Sequence, residues 1–298
     1  MFFEGVLPIT LEQGLGYALV ALGIALTFRV LAFPDLTVDG SFPLGGAVCA
    51  RLIVEGVDPG LASACGMGAG FVAGCLTGVL NTKLKINSLL AGILMMTILY
   101  SVNLRIMGRS NIPLLTEPTI FTPMEQMSVD RAIPVIIFFL AVVAVVKLAC
   151  DYFLHTEYGM ALRATGDNEQ MIRSLGVDTD KATILGLGIS NALVALSGTL
   201  IAQDQGFADA GMGIGMIVAG LASIIIGEGL LKPKSVFRLT LAAVLGSVVY
   251  RLIIVLGLRM GLAPTDLKLA TGLMVVLALG IPSLKRGKSS GKIHMRGV

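Results

Sequence analysis

Apolar runs of about 20 residues, parted by short polar breaks, follow one another along nearly the whole chain. They fall at 14–33, 60–80, 86–104, 132–153, 182–202, 211–229, 236–257 and 267–283, with a shorter run at 41–56. A membrane-spanning helix needs about 20 mostly apolar residues. The pattern therefore predicts an all-α polytopic membrane protein of about nine transmembrane segments. It divides the chain into a transmembrane domain, 1–284, and a short basic tail, 285–298.

Three breaks carry more than a turn. Between the first two runs lies Pro34-Asp35-Leu36-Thr37-Val38-Asp39-Gly40-Ser41-Phe42-Pro43, whose prolines interrupt helical hydrogen bonding and predict a broken second helix. Broken helices at membrane depth are tolerated where protein or a water-filled cavity satisfies the backbone, so Asp39 and Ser41 become candidates for a solute path; a plain turn accepts the same residues. The second break, 105–131, contains Pro113, Pro118 and Pro123, and predicts an external segment that either caps the bundle or meets an extracytoplasmic partner. The third, about 157–181, is the largest polar stretch between the later spans. There Asp167, with Gln170 three residues on, reads as a helix start and Gly176 as its end. Met171, Ile172 and Leu175 share one side of the short helix, an apolar stripe suited to docking in a partner's groove. An interfacial helix lying on lipid is the alternative, and the carboxylates Asp167, Glu169, Asp178 and Asp180 disfavour an anionic lipid surface.

Within the spans, Gly66, Gly70, Gly74 and Gly78 recur every fourth residue and put a smooth ridge on one helix face. Such a ridge serves either packing within one subunit or a moving seam between subunits. Asn87, Ser88, Asn103, Asn191 and Glu228 are polar positions in or near spans; Glu228 reads as a solvated helix-end carboxylate, with a proton relay as the rarer reading.

Composition sharpens this picture. Only 14% of the 298 residues are charged and 55% are hydrophobic, with 37 Gly, and mean hydropathy is +0.88. Soluble domains carry nearer a quarter charged residues, so the bilayer is the expected solvent. The net charge of +3 is spread over short loops and implies no nucleic-acid partner. With the C-terminus inside, 15 of the 22 Lys and Arg fall on the inner side, which predicts an external N-terminus and a cytoplasmic C-terminus. Met1 to Gln13 holds no Lys or Arg, so the first apolar run is expected to be retained, not cleaved as a signal peptide. Cys49, Cys65, Cys75 and Cys150 lack CxxC spacing and read as free thiols. His155 and His294 are the only histidines, too few for a His-rich metal site. Gly287-Lys288-Ser289 lacks the leading glycine of a phosphate loop, because position 282 is Pro. Gly188-Ile189-Ser190 has no evident base, which leaves an intramembrane enzyme without its chemistry. Energy must come from a partner or from an ion gradient.

The run from Gly159 to Gly176, followed by Ser190-Asn191-Ala192-Leu193-Val194-Ala195-Leu196-Ser197-Gly198-Thr199-Leu200, resembles the cytoplasmic loop and next helix of ABC importer permeases of the branched-chain amino-acid and ribose class. Asp35-Leu36-Thr37-Val38-Asp39-Gly40-Ser41 resembles that class's broken second helix. Gly220-Leu221-Ala222-Ser223-Ile224-Ile225-Ile226-Gly227-Glu228 resembles its late apolar block, with Glu228 where the family usually has a second Gly. Tyr100-Ser101-Val102-Asn103-Leu104-Arg105-Ile106-Met107-Gly108 resembles a subgroup often paired with binding proteins of tryptophan/tyrosine type. The resemblance implies a permease domain in a bacterial inner membrane. It implies a homodimer of permeases, an ATP-binding-cassette ATPase subunit that holds the ATP and Mg, and an extracytoplasmic substrate-binding protein. This chain would hold no cofactor and hydrolyse nothing. The loop becomes a coupling helix, with Arg163, Gly166, Asp167, Asn168, Glu169, Met171, Ile172, Arg173 and Leu175 toward the ATPase. Asp39, Ser41, Asn87 and Asn191 become candidates for the path of a small solute, an amino acid or related metabolite. An ion-coupled secondary transporter is the rival reading; it calls for a midplane ion site and usually an inverted repeat.

Overall fold

A computed structural model describes residues 2–127, 132–261, 266, 269, 272 and 273. Helix α1 (Phe2–Ala25) runs into a π-helical turn, Leu26–Val30. Pro34 has no N–H with which to extend a helix, and the chain crosses an irregular stretch before α2 (Val38–Val54). Then come α3 (Pro59–Thr82), α4 (Ser88–Met107), a short strand β1 (Asn111–Pro113) and α5 (Thr122–Met127). These are followed by α6 (Ala132–His155), α7 (Glu157–Ser174) and α8 (Thr179–Gln205). The described helices end with α9 (Met216–Leu231) and α10 (Val236–Arg259), after strand β2 (Phe207–Asp209).

Local chemistry sets many boundaries. Asp58 caps α3 by accepting the N–H groups of Gly60 (2.9 Å) and Leu61 (3.2 Å), with Pro59 in the first turn. Left-handed Gly108 and Gly206 end α4 and α8.

Six helical stretches among the described residues are long and apolar enough to cross a bilayer: Val6–Val30 and the helices α3, α4, α6, α8 and α10. The sequence pattern predicts about nine segments; the described residues supply these six. Helix α2 has 17 residues and α9 has 16. At about 1.5 Å per residue they reach roughly 24–26 Å, short of a hydrocarbon core of about 30 Å. The expected segment at 267–283 and the tail at 285–298 lie outside the described residues. The protein is a multi-pass helical membrane protein, with one small antiparallel sheet, β1 on β2, that an all-α reading omits.

Helix α8 is the axis of the bundle: 78% of its most apolar window is buried, against 28% for α4 and α6. The outer helices turn large apolar side chains outward, such as Ile93, Leu94 and Ile98 on α4 and Ile137, Leu140 and Leu148 on α6. The glycine ridge of α3 packs on α8. A Cβ at Gly66 would lie 2.5 Å from Thr199 Cγ2, at Gly70 2.5 Å from the Asn191 carbonyl oxygen, at Gly74 2.7 Å from the Leu187 carbonyl carbon, and at Gly78 2.7 Å from Ile184 Cα. Contacts that descend α8 as they climb α3 mean antiparallel helices, and the ridge is filled by this chain's own backbone.

The 105–131 stretch begins inside α4, and a few of its residues anchor it on the bundle; residues 128–131 of it lie outside the described set. Strand pairing ties the end of α4 to the end of α8, Ile112, Leu114 and Phe121 are buried, and the Phe121 ring packs on Phe138 and Phe139 of α6.

Replacing Gly74 with Leu should lower the unfolding free energy by about 1–3 kcal/mol or prevent folding, because backbone on α8 blocks the added atoms. Gly68→Leu, which meets nothing within 4 Å, should stay within about 0.5 kcal/mol. Thermal unfolding of the two purified variants, side by side, checks this.

Candidate functional site

The break after α1 is held by a buried polar network. Asp35, Thr37, Ser41, Thr77 and Asn191 are each at most 1% exposed. Asp35 turns back on its own segment, accepting the Thr37 N–H at Oδ1 (2.9 Å), and reaches across the bundle to accept Asn191 Nδ2–H of α8 at Oδ2 (2.7 Å). Asn191 Nδ2 also donates to the Leu187 carbonyl (3.0 Å), and its Oδ1 accepts from Ser41 Oγ of α2 (2.5 Å). Thr37 Oγ1 meets Thr77 Oγ1 of α3 at 2.8 Å, and Thr77 donates its own proton to the Ala73 carbonyl at 3.1 Å. The irregular stretch is thus bonded to both helices of the central pair. A buried network in which each member is partnered rigidifies its surroundings.

Asp39, in the first turn of α2, accepts the N–H groups of Gly215 (3.0 Å) and Ile217 (2.8 Å). Gly215, at φ +90°, supplies no side-chain cap of its own, so α9 is capped from another helix. Helices α2 and α9 therefore begin side by side within the bundle. A cavity of about 270 Å³ opens beside this junction, bordered by Asp39, Gly40, Pro43, Met96, Tyr100, Asn103 and Ile214.

The four path candidates from sequence go to three places. Asp39 borders the cavity while capping α9. Ser41 and Asn191 lie buried in the polar network, bonded to each other and to the break. Asn87 lies at the other end of α4, where it accepts the Leu89 N–H (3.0 Å) as an N-cap and borders a separate polar cavity of about 550 Å³ with Lys85, Glu169, Arg173 and Asp180.

The segment before α8 is two helices merged across a kink. Thr156 caps the first by accepting the Gly159 N–H (3.3 Å). At the kink Asn168 leaves the helical region (φ −158°, ψ 93°) and its Oδ1 accepts the Met171 N–H at 3.0 Å. The cap is therefore Asn168, one residue beyond the Asp167 that the spacing suggested, because only a residue with non-helical backbone can turn its side chain onto the next turn. The apolar stripe is divided in its exposure. Met171 and Leu175 are 54% and 70% exposed, but Ile172 is 8% exposed and belongs to the interior. Arg173 is anchored on the start of α8, donating to Thr179 Oγ1 (2.7 and 3.0 Å) and Asp180 Oδ1 (2.8 Å), and on its own helix to Glu169 (3.0 Å). Beyond left-handed Gly176, Asp178 caps α8 by accepting the Lys181 N–H, which holds its carboxyl below the usual carboxylate range. Gly166 lies against the Val30 carbonyl, and a Cβ there would stand 2.9 Å from the Leu31 carbonyl carbon. Helix α7 thus touches the π-helical turn and the start of the break directly. Arg163 and Asp167 border a neighbouring cavity of about 340 Å³ with Arg29, Glu228 and Lys234.

Two ionic contacts add to this. Glu228 lies at the end of α9, as its position suggested, and is paired there with Arg29 of the π-helical turn at 2.5 Å. Lys147 and Asp151, four residues apart on α6, form a buried pair at 2.5 Å; Thr240 donates to Asp151 (2.7 Å), and the Lys147 ammonium sits 3.5 Å from the Phe237 ring centre. The one-turn spacing of Lys and Asp in an apolar run was its signal in the sequence. Among the described residues no group of three or more His, Cys, Asp or Glu is placed to hold a metal ion, and the four cysteines are free.

In a background lacking the four native cysteines, Ser41→Cys should resist a small water-soluble thiol reagent, while Tyr100→Cys, at a half-exposed wall of the cavity, should react at least ten-fold faster. Equal rates would place Ser41 in an aqueous path after all.

Residues 9–279 match the family model described as branched-chain amino acid transport system / permease component. The chain is 42% identical over 285 residues to a tyrosine transport system permease protein of Clostridioides difficile, covering 95% of this chain and 94% of the relative. It is 26% identical over 219 residues to the ribose import permease protein RbsC of Escherichia coli K12, covering 73% of this chain and 67% of that protein. The solved structure "PsaBC from Streptococcus pneumoniae in complex with Fab" shares the fold, with a TM-score of 0.54 at 12% identity over 90% of this chain and 89% of that one. The protein with the buried Asp35 network and the capped α2–α9 junction belongs to the permease-component family of branched-chain amino-acid transport systems.

Proposed function

We propose that this permease is the membrane-spanning subunit of an ATP-driven importer for an amino acid of aromatic type, received from an extracytoplasmic binding protein. The observation that carries the reading is the 42% identity, over nearly the whole chain, to a permease named for tyrosine transport. The permease itself hydrolyses nothing in this scheme, and ATP and Mg belong to a partner ATPase. Two copies of the chain flank the path. The α7 end of the bundle faces the cytoplasm, with the N-terminus outside and the C-terminus inside, as the Lys and Arg asymmetry suggests.

Helix α7 supports this assignment by its geometry. It exposes Tyr158, Met160, Met171 and Leu175 at one end of the bundle, an apolar set suited to a groove on the ATPase. It also rests on the broken segment through Gly166. Movement of the ATPases on nucleotide binding would push α7 against the π-helical turn Leu26–Val30, and the break would carry the displacement to α2 and, through Asp39, to α9. Broken helices at the path and rigid-body rocking about them are the general means of alternating access.

The Met171→Asp, Leu175→Asp double variant should insert in the membrane normally but lose ATPase co-purification, and uptake of labelled L-tyrosine should fall at least ten-fold. Both positions are exposed, so folding is spared. Undiminished association with the ATPase would overturn the docking assignment, and uptake without any ATPase subunit would overturn the ATP-driven reading.

A further inference from the structure

We propose that the cavity between α2, α4 and the turn before α9 binds the ammonium group of the transported amino acid, with Asn103 Oδ1 as an acceptor and Tyr100 as a wall for the side chain. This rests on the import reading above and gives its path a recognition site.

Asn103 of α4 is fully buried and borders the cavity. Its Nδ2 donates to the Gly40 carbonyl at 3.2 Å. That bond fixes the amide, since the reversed orientation would set two oxygens against each other. The atom left over is therefore an acceptor, and Oδ1 has no partner in the protein. Buried polar atoms are nearly always paired, and an orphan beside a cavity points to a missing donor. The polar groups nearby reinforce the sign. The Asp39 carboxylate keeps acceptor capacity beyond its two backbone N–H bonds, and the Thr97 hydroxyl is committed as a donor to the Ile93 carbonyl at 2.9 Å. Apart from the second Nδ2–H of Asn103 and the Tyr100 hydroxyl, the polar atoms at this end are acceptors with Asp39 among them, so a protonated amine matches it better than a carboxylate or phosphate. Pro43, Met96, Ile214 and the Tyr100 ring supply apolar walls. The volume, about 270 Å³, is below the roughly 300–1,000 Å³ of drug-sized ligand pockets and is on the scale of one amino acid. The site adjoins the α2–α9 junction, so a bound ammonium would sense the same segment that α7 touches at Val30 and Leu31.

The test uses the detergent-purified permease–ATPase complex without binding protein, read by the thermal unfolding of the permease. L-tyrosine and tyramine, which carry the amine, should both stabilise the wild type. 3-(4-Hydroxyphenyl)propionate, which lacks it, should not. Asn103→Leu should abolish the tyramine shift. Tyr100→Ala, which leaves the Asn103–Gly40 bond intact and so guards against misfolding of the first variant, should weaken tyramine binding at least five-fold. Stabilisation by the propionate equal to that by tyramine, an unchanged shift in both variants, or a shift reproduced by sodium chloride at matched ionic strength each overturns the site. ATPase-dependent tyrosine uptake by wild-type cells, measured in parallel, tests the import reading separately. If uptake stands while tyramine leaves the complex unaffected, the ammonium site alone falls; if uptake is absent, the import reading falls.

Discussion

A carboxyl group withdrawn from water into a membrane bundle persists only where donors are built to meet it, and the hydrogen bonds of Asp35 to Thr37 N–H and Asn191 Nδ2 meet that demand. Most of what distinguishes this bundle follows from them. Pro34 prevents α1 from continuing, and the irregular stretch that results must find partners for its polar groups inside the protein. It finds them on α8 through Asn191 and on α3 through Thr77. Those two helices lie close because the Gly66–Gly78 ridge puts no side chain of α3 between them. The glycines, the break and the network are thus one device: backbone proximity brings Asn191 within reach, and Asn191 holds the break.

That fixed point has loose ends on either side. Toward one end of the bundle, the π-helical turn and Leu31 receive Gly166 of α7. Toward the other, Asp39 begins α2 and caps α9, beside the cavity that Asn103 borders. Helix α7 and the cavity thus meet this segment at separate places, α7 at Val30 and Leu31 and the cavity at Asp39 and Gly40. In the import cycle proposed above, such an arrangement would act as a lever about a rigid pivot, because packed elements switch between discrete positions.

Much of this was legible in the sequence, and the failures have local causes. Hydrophobic runs located each long span because bilayer thickness imposes a length. The same rule does not separate α2 and α9 from the longer spans, since both are apolar but begin side by side at Asp39. The Pro-Asp-Thr break was visible, yet polarity alone could not tell Asp39, which borders the cavity, from Ser41, which does not; that depends on which face α8 covers. Capping slipped by one residue, from Asp167 to Asn168, because both side chains suit the role and only the kink decides. Ile172 looked like its neighbours Met171 and Leu175 for the same reason: a stripe on a short helix does not say which edge faces inward. The Arg29–Glu228 pair joins residues 199 positions apart, which no local pattern reports.

The central claim is that Asp35 and Asn191 act as one unit in holding the break to α8. A double-mutant cycle tests it most directly, with unfolding free energy measured in bicelles for the wild type, Asp35→Ala, Asn191→Ala and the double variant. Residues in one buried network show interaction energies of about 0.5–3 kcal/mol. The account predicts a coupling of about 1 kcal/mol or more, with the double variant less damaged than the sum of the singles. Additive losses would contradict it and leave the break without its pivot.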